Sequence, residues 1–262
     1  MSDSIFAQFT PGQDLDEHAP ILVYIHGWGM HSGVWSQLQQ LLVQDCDSLT
    51  IDLPGMGKSP LLLSEFSLEA IVPQLAAILT PYTHRRILLL GWSLGAIFAA
   101  ALVEHLPSTA HLIQVAMTPQ FPLNHDLNWF QTMLSEDREG TLFRFLSLMT
   151  QGGQAQRAEL RILQQLVYCY GFPHPKALSG GLRILASTNQ KALLTQCNQN
   201  HSLTHTVILG EDDQLVPLEY AKQEYQEINC KIHVIPKASH IPFLSNPTAF
   251  TKIIRALCRE QE

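Results

Sequence analysis

The residues best suited to covalent chemistry lie at positions 91–95, which read Gly-Trp-Ser-Leu-Gly. The apolar run before Gly91 predicts a buried strand, and the small apolar residues from Ala96 to Val103 predict a helix. A Gly-x-Ser-x-Gly sequence between a strand and a helix is typical of a nucleophile elbow, whose sharp turn holds a serine hydroxyl above the sheet. Ser93 is therefore the candidate nucleophile.

A serine hydroxyl needs a base at neutral pH, and imidazole is suited to taking and returning the proton. His240 follows the last predicted strand, and Asp213 follows the strand before it. The chain order Ser93, Asp213, His240 is that of an α/β-hydrolase triad. Asp212 and Glu211 compete as the acid, but the pattern Gly-x-x-Asp-x-Leu-Val-Pro favours Asp213.

Two backbone amides are candidates to stabilise the oxyanion that forms when the serine attacks a carbonyl. One belongs to Leu94, and the other belongs to Trp28 in the sequence His-Gly-Trp-Gly at 26–29. Glycines on both sides of Trp28 let the main chain approach a substrate closely. We interpret His26 as a structural histidine bonded to nearby backbone.

The elements that must position these residues alternate along the chain. Apolar runs predict strands at 21–25, 48–52, 86–90, 111–116, 204–209 and 231–235, with helices between most of them. This alternation predicts an α/β fold with a mostly parallel central sheet flanked by helices. It is interrupted from 118 to 196, where helical spacing predicts helices at 129–134, 141–151, 155–170 and 181–194.

We therefore expect an α/β-hydrolase core formed by residues 1–117 and 197–262, with a helical lid of residues 118–196 inserted after the strand that follows the nucleophile helix. A lid of this kind builds the acyl pocket and restricts access to it. A segment that only packs against the core would show the same helical periodicity, so that alternative stays open.

The composition of the chain limits the classes of partner that we expect it to bind and the cellular compartment in which we expect it. The chain has 262 residues, a net charge of −7 and a pI near 5.9, which argue against general affinity for nucleic acid or anionic membranes. Five scattered cysteines without a Cys-x-x-Cys pair, and no amino-terminal signal sequence, favour a reduced cytoplasmic protein. We find no metal-binding motif in the sequence, and acyl transfer by the predicted triad requires no metal or cofactor. We expect a monomer.

Four motifs together resemble one known family across nearly the whole chain. They are His-Gly-Trp-Gly at 26–29, Asp-Leu-Pro-Gly-Met-Gly-Lys-Ser at 52–59, the elbow at 91–95, and Ala-Ser-His-Ile-Pro-Phe at 238–243. They look like those of the pimeloyl-acyl-carrier-protein methyl ester carboxylesterases of biotin synthesis. This resemblance implies cleavage of a methyl ester from pimeloyl carried on acyl carrier protein, with release of methanol.

The resemblance also implies which residues bind substrate and carrier. The implied substrate-binding residues are Trp28, Trp92, Ser93, Leu94, Phe145, Leu146, Ser147, Leu148, Met149 and His240. The implied carrier-binding residues are Arg144, Arg157 and Arg161, which would face the acidic carrier protein. Gly140 stands where the family can carry another arginine, and ordinary solvated charges would give the same pattern at 157 and 161.

Other functions fit the same triad. A broad short-chain carboxylesterase and a hydrolase of carbon–carbon bonds share this chemistry, and a ligand receptor that retains a triad is a different class. Slow ester turnover and a stable covalent adduct would favour the receptor. Dehalogenases and epoxide hydrolases with an aspartate nucleophile are disfavoured because Ser93 occupies the elbow.

Overall fold

The computed structural model describes residues 4–106, 111–122, 127–200 and 204–260, with only the helical backbone described at 127–128 and 197–200. The strands are β1 (Ala7–Thr10), β2 (Ile21–Ile25), β3 (Asp47–Ile51), β4 (Ile87–Trp92), β5 (His111–Val115), β6 (Thr204–Gly210) and β7 (Lys231–Ile235). They form a single seven-stranded sheet in the order β1-β3-β2-β4-β5-β6-β7. Only β1 runs antiparallel to its neighbour, so the predicted fold class is confirmed.

The central strands β2 and β4 are buried along their whole length, as expected for parallel strands covered on both faces. Their register pairs Ile25 with Gly91. The loop after β2 and the elbow after β4 therefore leave the sheet side by side at its carboxyl edge. This register brings Trp28 close to Ser93 although they are far apart in sequence.

Helices cover both faces of the sheet. They are α1 (Ser36–Leu41), α2 (Leu68–Leu79), α3 (Leu94–Leu102), α4 (Leu127–Glu136), α5 (Arg138–Thr150), α6 (Gln156–Cys169), α7 (Pro175–Ser187), α8 (Lys191–Asn200), α9 (Leu218–Glu224), α10 (Pro242–Ser245) and α11 (Pro247–Arg259). Among the helices described, none is both long and apolar enough to cross a lipid bilayer.

Helices α4 to α8 lie in sequence between β5 and β6. The predicted single helix over 181–194 is wrong, because α7 ends at Ser187 and α8 begins at Lys191. The chain between them is extended where Asn189 forms an antiparallel bridge with Gln120. The Asn189 side chain donates to Gln120 Oε1 at 3.2 Å and accepts from the Lys191 amide at 3.0 Å. These contacts stop one helix and start the next.

Candidate active site

Ser93 occupies the turn between β4 and α3 in a conformation that few non-glycine residues adopt. Its φ is 53° and its ψ is −118°, and its amide donates to Val115 O on the neighbouring strand at 2.9 Å. Such backbone strain is retained where the surrounding structure enforces it, often at functional sites. Here it lifts the hydroxyl away from the sheet.

Two glycines make room for this turn. A Cβ added to Gly91 would lie 2.3 Å from the carbonyl oxygen of Gly95, and one added to Gly95 would lie 2.2 Å from that of Ile25. Both distances are far below van der Waals contact with main-chain atoms that cannot move aside. The elbow is therefore closed by backbone packing directly against β2.

The structure brings Ser93, Asp213 and His240 together, and these residues are 1%, 3% and 0% exposed. His240 Nδ1 lies 2.8 Å from Asp213 Oδ2, and its Nε2 lies 3.0 Å from Ser93 Oγ. With Nδ1–H donating to the carboxylate, Nε2 is left free to accept the serine proton. The arrangement has the geometry of a nucleophile, its base and the acid that orients the base.

Asp213, rather than its neighbours, faces the imidazole. Its Oδ1 accepts from the amides of Leu215 at 2.8 Å and Val216 at 3.0 Å, which leaves Oδ2 for His240. Glu211 instead accepts from the Lys237 amide, and within the described residues the Asp212 carboxylate makes no hydrogen bond to His240. The geometry thus supports the acid that the sequence pattern favours.

His240 is held through its main chain as well as its ring. Its amide donates to Met149 O on α5 at 3.1 Å, and its carbonyl accepts from Trp92 Nε1 at 2.7 Å. The centroid of the Trp92 ring lies 6.2 Å from that of His240 and 5.2 Å from that of Phe243. The sequence could not single out Met149 for this contact, because any residue carries a carbonyl.

The two amides proposed for the oxyanion site are available as donors. Within the described residues, neither the Trp28 amide nor the Leu94 amide has a hydrogen-bond acceptor. Leu94 is the first residue of α3, where the helix dipole favours negative charge. An oxyanion next to Ser93 would therefore meet free N–H groups.

His26 is fully buried, and among the described residues its ring bonds main-chain groups alone. Its Nδ1 donates to Gly27 O at 2.8 Å, and its Nε2 accepts from the Leu53 amide at 2.9 Å. Burial lowers the pKa of His26 to about 4, so the ring is neutral at pH 7. His26 thus links the Trp28 loop to the segment after β3, which matches the structural role predicted for it.

The predicted substrate-binding residues of the lid lie along α5, which faces the Trp28 loop. The Phe145 ring packs edge-on against Trp28 with centroids 4.6 Å apart. Phe145, Leu146 and Met149 are buried, whereas Ser147 and Leu148 are half-buried. The Trp28 indole donates to Leu178 O at 2.8 Å, which joins the loop to α7 as well.

The three predicted carrier-binding arginines are exposed. Arg157 and Arg161 lie one turn apart on α6, and neither has a carboxylate partner among the described residues. The Arg144 guanidinium stacks 4.9 Å from the Trp129 ring centroid. Among the described residues, Arg157 and Arg161 thus carry unpaired charge on the exposed face of α6.

The chain is similar in sequence and in fold to known proteins. The model of the alpha/beta hydrolase family matches residues 22–253. The pimeloyl-[acyl-carrier protein] methyl ester esterase of Aeromonas salmonicida is 34% identical, over 90% of this chain and 94% of the relative. That of Photobacterium profundum is 33% identical, over 94% of this chain and 95% of the relative.

An esterase structure from Exiguobacterium antarcticum superposes with a TM-score of 0.83, covering 98% of this chain and 96% of that one, at 16% identity. At that identity the likeness concerns the fold alone. The family follows from the sequence relatives, whose matches span almost their whole length. This chain belongs to the alpha/beta hydrolase family and, within it, to the family of pimeloyl-[acyl-carrier protein] methyl ester esterases.

Proposed function

We propose that this chain is a serine carboxylesterase that hydrolyses the methyl ester of pimeloyl-acyl carrier protein in biotin synthesis. The observation that carries the proposal is the continuous hydrogen-bond chain from Asp213 through His240 to Ser93, at 2.8 and 3.0 Å. The names of the relatives supply the substrate class.

In the proposed reaction, Ser93 Oγ attacks the ester carbonyl while His240 Nε2 takes its proton. The tetrahedral oxyanion accepts from the amides of Trp28 and Leu94. Its collapse breaks the bond to the methoxy oxygen, which leaves as methanol with the proton from Nε2. Water, deprotonated by the same nitrogen, then attacks the acyl-serine, and Ser93 is released with its proton restored.

The positive charge on the outer face of the lid favours a substrate that is bound to a carrier protein. Arg157 and Arg161 are exposed and unpaired among the described residues of a chain whose net charge is −7. Local positive charge on such a protein attracts an acidic partner without attracting anions generally. We propose that these two residues, together with Arg144 on α5, receive the acyl carrier protein.

The proposal extends to domain organisation, assembly and location. Residues 118–196 act as the lid over a core of 1–117 and 197–262, and the enzyme works as a monomer in the cytoplasm. The cysteines at 46, 169, 230 and 258 are free thiols, as expected in a reducing compartment.

The experiment compares hydrolysis of pimeloyl methyl ester on acyl carrier protein with hydrolysis of the same ester free in solution, using Ser93→Ala as the blank. We expect kcat/KM to be higher for the carrier-bound ester. We expect Arg157→Ala with Arg161→Ala to lower that value roughly tenfold at low salt and to leave the free ester unchanged.

Equal rates on both esters would instead indicate a broad carboxylesterase. Absence of Ser93-dependent turnover on either ester would contradict the assignment and favour a receptor that retains the triad.

A further inference from the structure

Glu159 is a buried carboxylate on the lid helix α6, only 2% exposed. It shares the buried face of the helix with Leu163 and Val167, while Arg157 and Arg161 point outward. Burying a carboxylate costs free energy unless other groups compensate for the lost water. An apolar residue would pack on this face at lower cost, so the acid calls for another explanation.

The Glu159 carboxylate reaches the loop that carries the base. Its Oε2 lies 3.3 Å from Ser239 Oγ, and Ser239 immediately precedes His240. Ser239 Oγ lies 3.1 Å from Ser245 Oγ, and the Ser239 amide donates to Ser245 Oγ at 3.3 Å. A chain of polar contacts therefore runs from the lid helix to the segment that flanks His240 on both sides.

In the part of the chain that the structure describes, no cationic partner compensates for the burial of Glu159. No ion pair involves it within the described residues, and its Oε1 has no hydrogen-bond partner there. Burial raises the pKa of the Glu159 carboxyl, and hydrogen bonds with Ser245 and Ser239 partly oppose that rise. Ser245 and Ser239, which also bond each other, are thus the polar partners of a side chain that is costly to bury.

The turn between α5 and α6 is shaped to allow this contact. A Cβ on Gly153 would lie 2.8 Å from Glu159 Oε2 and 3.2 Å from Ser239 Oγ. A Cβ on Gly152 would lie 2.0 Å from Asp212 O, beside the triad acid. Because α5 also accepts the His240 amide through Met149 O, this part of the lid touches both the acid loop and the base loop.

We propose that Glu159 is a positioning residue. Its contact with Ser239 holds the His240 loop, so that the position of lid helix α6 on the core determines the orientation of the His240 ring. The inference rests on the proposed serine-esterase function and not on the identity of the acyl carrier. Glu159 touches no reacting atom. Its effect passes through the 3.0 Å contact between His240 Nε2 and Ser93 Oγ, where a shift of about 1 Å can cost about 10²-fold in rate.

The test measures kcat and KM for p-nitrophenyl butyrate, a small activated ester that needs no carrier. We expect Glu159→Ala to lower kcat at least about tenfold with KM changed less than about twofold, because the base is displaced and the pocket is not. Glu159→Gln keeps a carbonyl oxygen that accepts from Ser239, and we expect it to retain at least about a third of kcat. Gln165→Ala, on the exposed face of the same helix, is the matched control.

The pathway through Ser239 is tested by a double-mutant cycle. If Glu159 acts through that hydroxyl, Ser239→Ala lowers kcat to a similar extent, and the double variant loses no more than either single variant. Labelling of Ser93 by paraoxon should slow in parallel, since it requires the same base. If Glu159→Ala does not fold, Ser239→Ala and Glu159→Gln still carry the test.

Three results would overturn the inference. They are a kcat within about twofold of wild type for Glu159→Ala or Ser239→Ala, losses that multiply in the double variant, and a change confined to KM. The carrier assay tests the other proposal separately. If the protein hydrolyses p-nitrophenyl butyrate in a Glu159-dependent way but does not hydrolyse the methyl ester of pimeloyl-acyl carrier protein, this inference stands and the proposed substrate is wrong.

Discussion

The elbow and the predicted lid are held in place by different sets of contacts. The elbow is fixed by main-chain packing, since a Cβ at Gly95 would lie 2.2 Å from Ile25 O. The lid is joined to the core by hydrogen bonds, such as Trp28 Nε1 to Leu178 O at 2.8 Å and His31 Nε2 to Leu166 O at 2.7 Å, and by close packing at one turn, where a Cβ at Gly152 would lie 2.0 Å from Asp212 O. The nucleophile is thus held by backbone packing at a single turn, whereas the lid is held at several separate points along its length.

The largest expected effect separates two adjacent acids, one facing the base and one facing the lid turn. Asp213→Asn should lower kcat by roughly 10³–10⁴, because an amide no longer fixes the productive tautomer of His240. Asp212→Asn, whose main-chain carbonyl packs against Gly152, should change kcat less than about threefold. Steady-state kinetics on p-nitrophenyl butyrate measure both, and comparable losses would contradict the assignment of the acid.

The next prediction compares one glycine from each region. Gly95→Ala should lower the free energy of unfolding by at least about 3 kcal/mol, because its Cβ meets main-chain atoms. Gly171→Ala, in the lid, should cost about 1 kcal/mol, since its φ of +84° is unfavourable but no heavy atom lies within 4 Å of the new Cβ. Urea unfolding followed by circular dichroism measures the two values. Similar costs would mean that the elbow has more freedom than its packing indicates.

Acid should weaken the core through its buried histidines. Burial lowers the pKa of His205 to about 3, and that of His26 and His111 to about 4. These rings stay neutral in the folded protein, while the unfolded chain takes up protons below about pH 6.5. Their stabilising contribution is therefore present above that pH and is lost as pH falls towards 4, by about 1.4 kcal/mol per pH unit for each histidine.

His205→Gln tests this titration. The variant should unfold with a pH dependence that is shallower by one proton between pH 6 and pH 4.5, measured as the free energy of unfolding in urea. An unchanged slope for His205→Gln would mean that this ring is already charged when folded.

The smallest expected effect concerns one contact between lid and core. Trp28→Phe removes the indole donor from Leu178 O and should cost about 1–2 kcal/mol in stability beyond the loss of packing. Trp35→Phe is the matched control, because Trp35 is equally buried but its Nε1 has no partner among the described residues. We also expect Trp28→Phe to raise KM for long acyl esters more than it lowers kcat. Equal costs in the two variants would show that this hydrogen bond does not stabilise the lid.

The elbow could be predicted because its chemistry requires particular residue types at fixed spacing. Gly91 and Gly95 are needed for steric reasons that hold in any chain, Ser93 is needed for its hydroxyl, and His240 follows from its place after the last strand. Parallel topology followed in turn from the alternation of apolar strands and helices.

The lid was less predictable because its contacts depend on tertiary packing. The break between α7 and α8 arises where Asn189 pairs with Gln120, about 70 residues earlier, so no local periodicity reveals it. Met149 and Leu178 contribute carbonyls, which every residue possesses. From the sequence, Glu159 is indistinguishable from an ordinary solvated charge on a helix, and only the structure shows that it is buried.

The bridge between Gln120 and Asn189 has a consequence for how such enzymes diversify. The bridge holds together the two ends of the segment that contains helices α4 to α7. The Gln190 amide reinforces it by donating to Pro119 O at 2.8 Å. When the two ends of a loop are already held together, inserting more residues between them adds little to the entropic cost of closing the loop, because that cost grows only slowly with length. We therefore expect evolution to replace or lengthen the helices between Gln120 and Asn189 without changing the order of the strands. Substrate range can change in this way while the sheet stays the same.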